Sequence, residues 1–574
     1  MMTLSESFSQ GWQTHVYRLK TLGLVVRTTL FASLCIGMLT FSFLVYKDHR
    51  LYDFYVAGVY HYADWRKDNS FSSSEPTVTF TYESGRKQVV FCKTLARNPG
   101  IVRSVDQLYE SLMDKGMTSL WISGGAFILV TALWTWIGRR RNDSKIIEGT
   151  VLATPRRLRN LLRKKGKASS FSLAQVPLVE NSETGHMLVV GTTGVGKTNC
   201  FFELLQQVRR KRQKAIVVDT TGDFISRFYR PGRDKILNPF DERGEPWNLW
   251  AECEYGYQFD EFAEGFIPRV SHDPFWENAG RTLFSEAAQQ LKSQGKQSTQ
   301  ELLTITAIKP LEEMSHLLGG TLAASLVDPR SAKTALGIRN IVTTHAKSLK
   351  YLEDTENPFS IRKWVEDETT DSWLFLACTP PHRAVMKSLL SGWFSIAHKA
   401  LMGMQQSLTR KLWFIIDELP SLSVLTELPQ AMAEVRKYGG CFVLGLQGIP
   451  QLDELYGTYI TQTISGLANT KLIFRVPDPD TAKKMSAFLG EQEVKEASKT
   501  YSYNGDKGRK NVSVSETQGL KPAVSATKLA KLDNLQAYLQ LPGDLPVVKV
   551  KFKLQKLPKV VPEFIRKKKI ETDG

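Results

Sequence analysis

At 574 residues the chain is too long for one hydrophobic core, and about 100 to 200 residues per domain implies roughly three or four units. Its formal net charge of +17 points to a polyanionic partner, either nucleic acid or anionic lipid. The cysteines (Cys35, Cys92, Cys200, Cys253, Cys378 and Cys441) form no C-x-x-C pair and have no histidines at zinc spacing, so neither a disulfide framework nor a structural metal is expected.

Two segments are long and apolar enough to cross a bilayer, for which about 20 residues at about 1.5 Å rise suffice. The first, TTLFASLCIGMLTFSFLVY from Thr28 to Tyr46, and the second, from Gly116 to Gly138, carry no charge. Trp121, Trp134 and Trp136 stand where interfacial aromatics belong. Arg18, Lys20 and Arg27 precede the first span, and Arg139, Arg140 and Arg141 follow the second, which predicts cytoplasmic termini. Residues 47–115 would face the opposite side. There TVTFTYESGRKQVVF alternates like two short strands around Ser84-Gly85, as in a small α+β domain.

Behind the second span lies RRLRNLLRKKGK, with Arg156, Arg157, Arg159, Arg163, Lys164, Lys165 and Lys167. Contact with lipid headgroups and contact with nucleic acid fit this segment equally well.

The next stretch carries the chemistry. GTTGVGKT, residues 191 to 198, satisfies G-x-x-x-x-G-K-[ST] directly after the apolar run His186-Met187-Leu188-Val189-Val190 and before the helical FFELLQQVRR. Gly191, Gly194 and Gly196, with Thr192, Thr193 and Val195 between them, let backbone N–H groups turn toward phosphate oxygens. Lys197 would neutralise the β/γ charge, and Thr198 would supply a magnesium ligand, so ATP and Mg2+ are the expected cofactors.

KAIVVDTTGDF reads as a buried parallel strand ending in Asp219, which is either a site residue or a turn cap. From Glu252 to Val365 strand-like runs vanish and helical periodicity takes over, predicting an inserted all-helical domain. Strands resume at SWLFLAC and at KLWFIIDELPSL. In the latter Asp417 would hold magnesium through water, and Glu418 would polarise the attacking water. A helix then runs to Gly439-Gly440, and CFVLGLQGIPQL delivers Gln447 at the end of another buried strand. Arg436 is either a helix-dipole cation or a finger that reaches a neighbouring subunit's nucleotide.

Together ETGHMLVVGTTGVGKT, ILNPFDERGEPWNLW, FIIDELPSL, EVRKYGGCFVLGLQGIPQL and NTKLIFRVPDPDTAKKM resemble the coupling-protein ATPases of type IV secretion and bacterial conjugation, the TraD/TraG-like family. The resemblance implies an α/β RecA-like P-loop NTPase motor with an inserted all-helical domain, preceded by two transmembrane helices and a small periplasmic α+β domain. It implies a homo-hexamer on the inner membrane that brings single-stranded DNA, with its relaxase and the rest of the relaxosome, to the type IV secretion channel. It also places the family's arginine finger on Arg436 and its glutamine after the next strand on Gln447, which from its position at the strand end could sense the γ-phosphate.

The expected domains are a cytoplasmic segment 1–27, spans 28–46 and 116–138 around the periplasmic domain 47–115, and a nucleotide-binding domain of 139–251 with 366–560. The helical insertion takes 252–365 and a basic tail 561–574. YSYNGDKGRKNVSVSE, residues 501–516, reads as a polar hairpin whose Tyr501, Tyr503, Lys507, Arg509 and Lys510 suit a single strand passing through a ring. Alternative readings are an ATPase exporting protein effectors, a double-stranded DNA translocase, and a membrane scaffold. The acid Glu418 argues against the scaffold, which needs no water-activating base.

Overall fold

An uncharged run flanked by helix-compatible residues has every reason to continue as helix, because in lipid each backbone N–H must find a partner within the same segment. In the computed structural model Thr28 to Tyr46 lies inside α1 (Leu4–Asp48) and Gly116 to Gly138 inside α4 (Pro99–Arg141), so both helices outrun the expected spans. The structure describes residues 4–69, 75–141, 145–269, 273–425, 427–502 and 511–567. It divides into two units, residues 1–144 and 145–574.

In the first unit α1 and α4 run antiparallel and approach through small residues. Ser119 Oγ donates to the Gly37 carbonyl at 2.9 Å, and Ser123 Oγ to that of Ser33 at 2.9 Å. Phe31, Leu39 and Leu129 are at least 70% exposed, as lipid-facing side chains must be. Between the two helices come α2 (Leu51–Asp68), the antiparallel pair β1 (Thr77–Thr81) and β2 (Lys87–Phe91), and α3 (Cys92–Ala96). Their core is Val56, Ala63, Phe80, Leu95, Val105 and Leu108, a small α+β domain around the expected hairpin.

The strands of the second unit are β3 (Lys145–Gly149), β4 (Leu152–Ala153), β5 (Ala168–Leu173), β6 (Val176–Val179), β7 (Met187–Val190), β8 (Lys214–Asp219), β9 (Lys235–Leu237) and β10 (Trp373–Ala377). They continue with β11 (Leu412–Ile416), β12 (Gly440–Leu446), β13 (Thr470–Ile473), β14 (Glu491–Ser502), β15 (Asn511–Pro522), β16 (Gln536–Gln540) and β17 (Val547–Lys551). The main sheet has the order β4-β17-β16-β13-β7-β12-β11-β8-β10-β9. From β13 to β9 every pairing is parallel, and the inner strands are buried along their whole length. Such strands read as unbroken apolar runs because both sheet faces are covered.

Helices follow the strands: α5 (Pro155–Lys164), α6 (Lys197–Arg210), α7 (Asp223–Phe228), then α8 (Gly256–Phe266), α9 (Phe275–Ser293), α10 (Thr299–Leu303), α11 (Leu311–Leu317), α12 (Ala332–Ala346) and α13 (Ile361–Glu366). After β10 come α14 (Arg383–Gly403) and α15 (Leu428–Glu434). From α8 to α13 no strand intervenes among the described residues, and this is the inserted helical region. Its two ends are closed by buried Glu252. The carboxylate accepts from Trp247 Nε1 at 2.8 Å, Ser360 Oγ at 3.1 Å, the Arg362 N–H at 3.0 Å and the Ile361 N–H.

The last described residues pack against the rest of the second unit. Asn199 donates to the Lys553 carbonyl at 3.0 Å and accepts from the Gln555 N–H at 2.6 Å, and the Val560 N–H donates to the Ser226 carbonyl at 2.7 Å. The expected basic tail therefore follows the surface through Lys567, whose N–H donates to the Phe240 carbonyl. Strands β14 and β15 pair as the expected hairpin. Its tip, with Tyr503, Asn504, Gly505, Lys507, Arg509 and Lys510, lies outside the described residues.

Two buried histidines should make the second unit acid-sensitive. His186 and His398 are held down to about 4, first by burial; Arg436 adds to this for His186, and Lys399 for His398. Below the ordinary value of 6.5 the unfolded chain binds protons that the folded one refuses. Stability should therefore fall as pH drops from about 6.5 to about 4, by about 3 kcal/mol per histidine. Denaturant midpoints across that range check this, and His398→Leu should flatten the dependence.

Candidate nucleotide site

Strand β7 ends at Val190, and the chain must turn sharply to enter α6. The Gly191 N–H is spent on the Leu446 carbonyl at 3.1 Å and the Thr192 N–H on that of Arg475 at 3.0 Å, which ties the start of the loop to the tips of neighbouring strands. Two positions demand glycine. Gly194 has φ +76° with open space where a side chain would be, and Gly196 has φ +109° with Leu535 only 2.7 Å from a hypothetical Cβ. The first amides of α6 have no partner within the helix, so the loop and helix start form a cradle for an anion.

The expected site residues gather at the carboxyl ends of adjacent strands β7, β11 and β12. Thr198 Oγ1 donates to Asp417 Oδ2 at 3.0 Å, while Asp417 Oδ1 is buried without a hydrogen-bond partner. Thr193 Oγ1 donates to Gln447 Oε1 at 3.0 Å, which leaves the Gln447 amide N–H to bond the Glu418 carboxylate. Buried Lys197 donates to the Gly191 carbonyl at 2.6 Å. Burial shifts all three ionisable groups toward neutrality, Asp417 and Glu418 upward and Lys197 downward, and their mutual attraction opposes this.

A hydroxyl beside an orphaned, buried carboxylate oxygen is the donor set that hydrated Mg2+ requires, and the glycine cradle accepts the phosphates that accompany it. The residues present fit Mg2+ and a nucleoside triphosphate.

Strand β12 passes so close to β11 that a Cβ on Gly445 would stand 1.9 Å from the Asp417 carbonyl. Gly445→Ala should therefore cost about 1 to 3 kcal/mol as β11 shifts and should displace Asp417, lowering both thermal stability and ATP turnover.

Arg436 is not in this cluster. It is exposed, and it sits just before β12, whereas Gln447 lies just after it. Seven strand residues at about 3.3 Å each put roughly 20 Å between them. Arg436 cannot serve its own phosphate loop.

Three further residues shape the site. Asp219 is buried and committed to a turn: its oxygens accept the N–H groups of Thr221 (3.1 Å), Gly222 (2.7 Å), Phe224 (2.9 Å) and Ile225 (2.9 Å), the turn-capping alternative. Arg383, at the start of α14, donates to the Thr220 carbonyl at 3.2 Å, and its charge helps hold Glu418 ionised. His186 has φ +61°. Its Nδ1 accepts the Phe442 N–H at 3.1 Å, which fixes the proton on Nε2, bonded to the Met432 carbonyl at 2.5 Å. This neutral ring ties the foot of β7 to α15, the helix that leads to Arg436. Nothing in the sequence around Arg383 marks it, and His186 is hidden in an apolar run.

The family profile described as the type IV secretion-system coupling protein DNA-binding domain matches residues 170–553, well over half of the chain. This chain belongs to the type IV secretion-system coupling proteins. Coupling protein TraD of Escherichia coli (strain K12) is 34% identical over 469 residues, 80% of this chain and 65% of that protein, so the chain spans just under two thirds of the relative's length. The bacterial conjugative coupling protein TrwBdeltaN70, in its unbound monoclinic form, matches this coupling protein with a TM-score of 0.67 at 29% identity, covering 74% of this chain and 97% of that one. The plasmid coupling protein TrwB in complex with ADP and Mg2+ matches with a TM-score of 0.66 at 29% identity, covering 74% and 97%. Both the parallel sheet and the inserted helices of this coupling protein accord with that architecture.

Proposed function

We propose that this chain is the inner-membrane ATPase of a conjugative type IV secretion system, and that it draws single-stranded DNA with its relaxase toward the transfer channel. The observation that carries the reading is the split of the site: Lys197, Thr198, Asp417, Glu418 and Gln447 at one end of the sheet, with Arg436 exposed at the other. Such a division favours a ring, a homo-hexamer in this family reading, in which each nucleotide lies between two subunits. TrwB has been solved with ADP and Mg2+ and with a non-hydrolysable ATP analogue, which supports ATP as the nucleotide here.

In this mechanism the amides from Thr193 to Thr198 hold the phosphates, those of Gly191 and Thr192 being spent on neighbouring strands, and Lys197 neutralises charge on the β- and γ-oxygens. Thr198, and Asp417 through water, would hold Mg2+, which would supply Lewis-acid chemistry when bound. Glu418 accepts a proton from the attacking water, and Gln447 orients its carboxylate. Arg436 of the adjacent subunit stabilises charge as the phosphoryl bond breaks. The cations that flank the two spans favour cytoplasmic termini and a periplasmic location for residues 47–115.

ATP turnover of the full-length protein, measured with single-stranded DNA, duplex DNA or a secreted protein, tests the substrate. Single-stranded DNA should stimulate it most. Stimulation by protein alone would transfer the assignment to effector export, and stimulation by duplex alone to double-strand translocation.

A further inference from the structure

The cations behind the second span have no task in the nucleotide site. Residues 149–179 contain seven of them and no acid. At 100° per residue, Arg156, Arg157, Arg159, Arg163 and Lys164 share one broad face of α5, opposite buried Leu158 and Leu162. Among the described residues none of the seven makes an ion pair, and Arg159 Nε is buried without a hydrogen-bond partner. Just before α5 in the sequence, Ile147, Val151 and Leu152 are exposed by 47%, 42% and 36%, aliphatic side chains that water gains nothing by wetting.

The company these cations keep discriminates between partners. A single-strand surface interleaves cations with aromatic platforms, yet residues 145–170 hold no Phe, Tyr or Trp. Cations beside aliphatics suit the membrane interface, where headgroups meet acyl chains. The cleft of about 1170 Å³ next to α5 does not compete as an anion pocket, because Glu148, Glu491 and Asp544 line it together with Arg157 and Lys164. Only residues 142–154 separate α4 from α5 in the sequence, a tether of at most about 45 Å.

We propose that the cationic face of α5, with Ile147, Val151 and Leu152, is a docking surface for anionic phospholipid headgroups, which seats the motor against the membrane. The inference rests on reading α1 and α4 as spans and is independent of what the motor transports.

Amine acetylation of Lys164, Lys165 and Lys167 by a neutral reagent tests it, with the full chain in nanodiscs and exposed Lys333 as internal reference. Relative to phosphatidylcholine discs, discs containing phosphatidylglycerol should slow these three lysines about fivefold or more. High salt, or the pair Arg156→Glu and Arg163→Glu, should restore the rate, while ATP turnover stays at the wild-type level. Equal rates in both discs overturn the proposal. So does slowing by single-stranded or duplex DNA in phosphatidylcholine discs, which would make the face a nucleic-acid surface. Equal slowing by soluble glycerophosphoglycerol would reduce it to an anion site unrelated to the membrane.

Discussion

Arg436→Ala should bind ATP as the wild type does and turn it over about 10³-fold more slowly or worse, the usual cost of removing an arginine finger. The sharper test mixes this variant with Lys197→Ala. Alone, each is inactive for a different reason: one lacks the group that its neighbour needs, the other the lysine of its own loop. In mixed assemblies an intact Lys197 site meets an intact Arg436 at some boundaries, and partial turnover returns. If mixing restores nothing, or if Arg436→Ala retains wild-type turnover, Arg436 is a helix-end cation and the shared site is wrong. The roughly 20 Å that β12 places between Arg436 and Gln447 already forbids a contribution within one subunit.

Glu418→Gln should have the second largest effect, a loss of about 10² to 10⁴ in turnover with nucleotide affinity kept, because the amide fills the same space and accepts no proton. Burial raises the Glu418 carboxyl from its ordinary value, and the Gln447 hydrogen bond, Lys197 and Arg383 oppose it. A raised carboxyl is neutral, and useless as a base, over a wider acidic range. The rising limb of kcat/KM with pH should therefore lie above the usual carboxylate range and disappear in the variant. Gln447→Ala, which removes the amide partner, should move that limb further up. An unchanged limb in Glu418→Gln would show that another group takes the proton.

The phosphate loop was legible because its chemistry is backbone chemistry: only glycine tolerates φ +109° at Gly196 against Leu535, so the fold writes itself into the sequence. Asp417 and Glu418 were legible because two acids at the end of a buried strand have few structural uses. Asp219 looked much the same and serves a turn instead, a difference made by four N–H groups that no spacing rule reveals. For Arg436 the local sequence supports a helix-end cation equally well, and only the resemblance favoured a finger. The roles of Arg383 and His186 went unseen since their partners, Thr220, Phe442 and Met432, lie more than a hundred residues away in the chain. Helical periodicity announced the insertion, but not the Glu252 carboxylate that seals its neck.

His186 makes the two halves of the catalytic apparatus mechanically inseparable. One uncharged ring grips β12 on one nitrogen and α15 on the other, in a dry interior where neither bond can be traded for water. An axial slip of β7 must either rupture both or drag the Arg436 turn along with Gly191. In the proposed ring, this imidazole would be one path by which a shift at a subunit's own phosphate loop reaches the Arg436 turn.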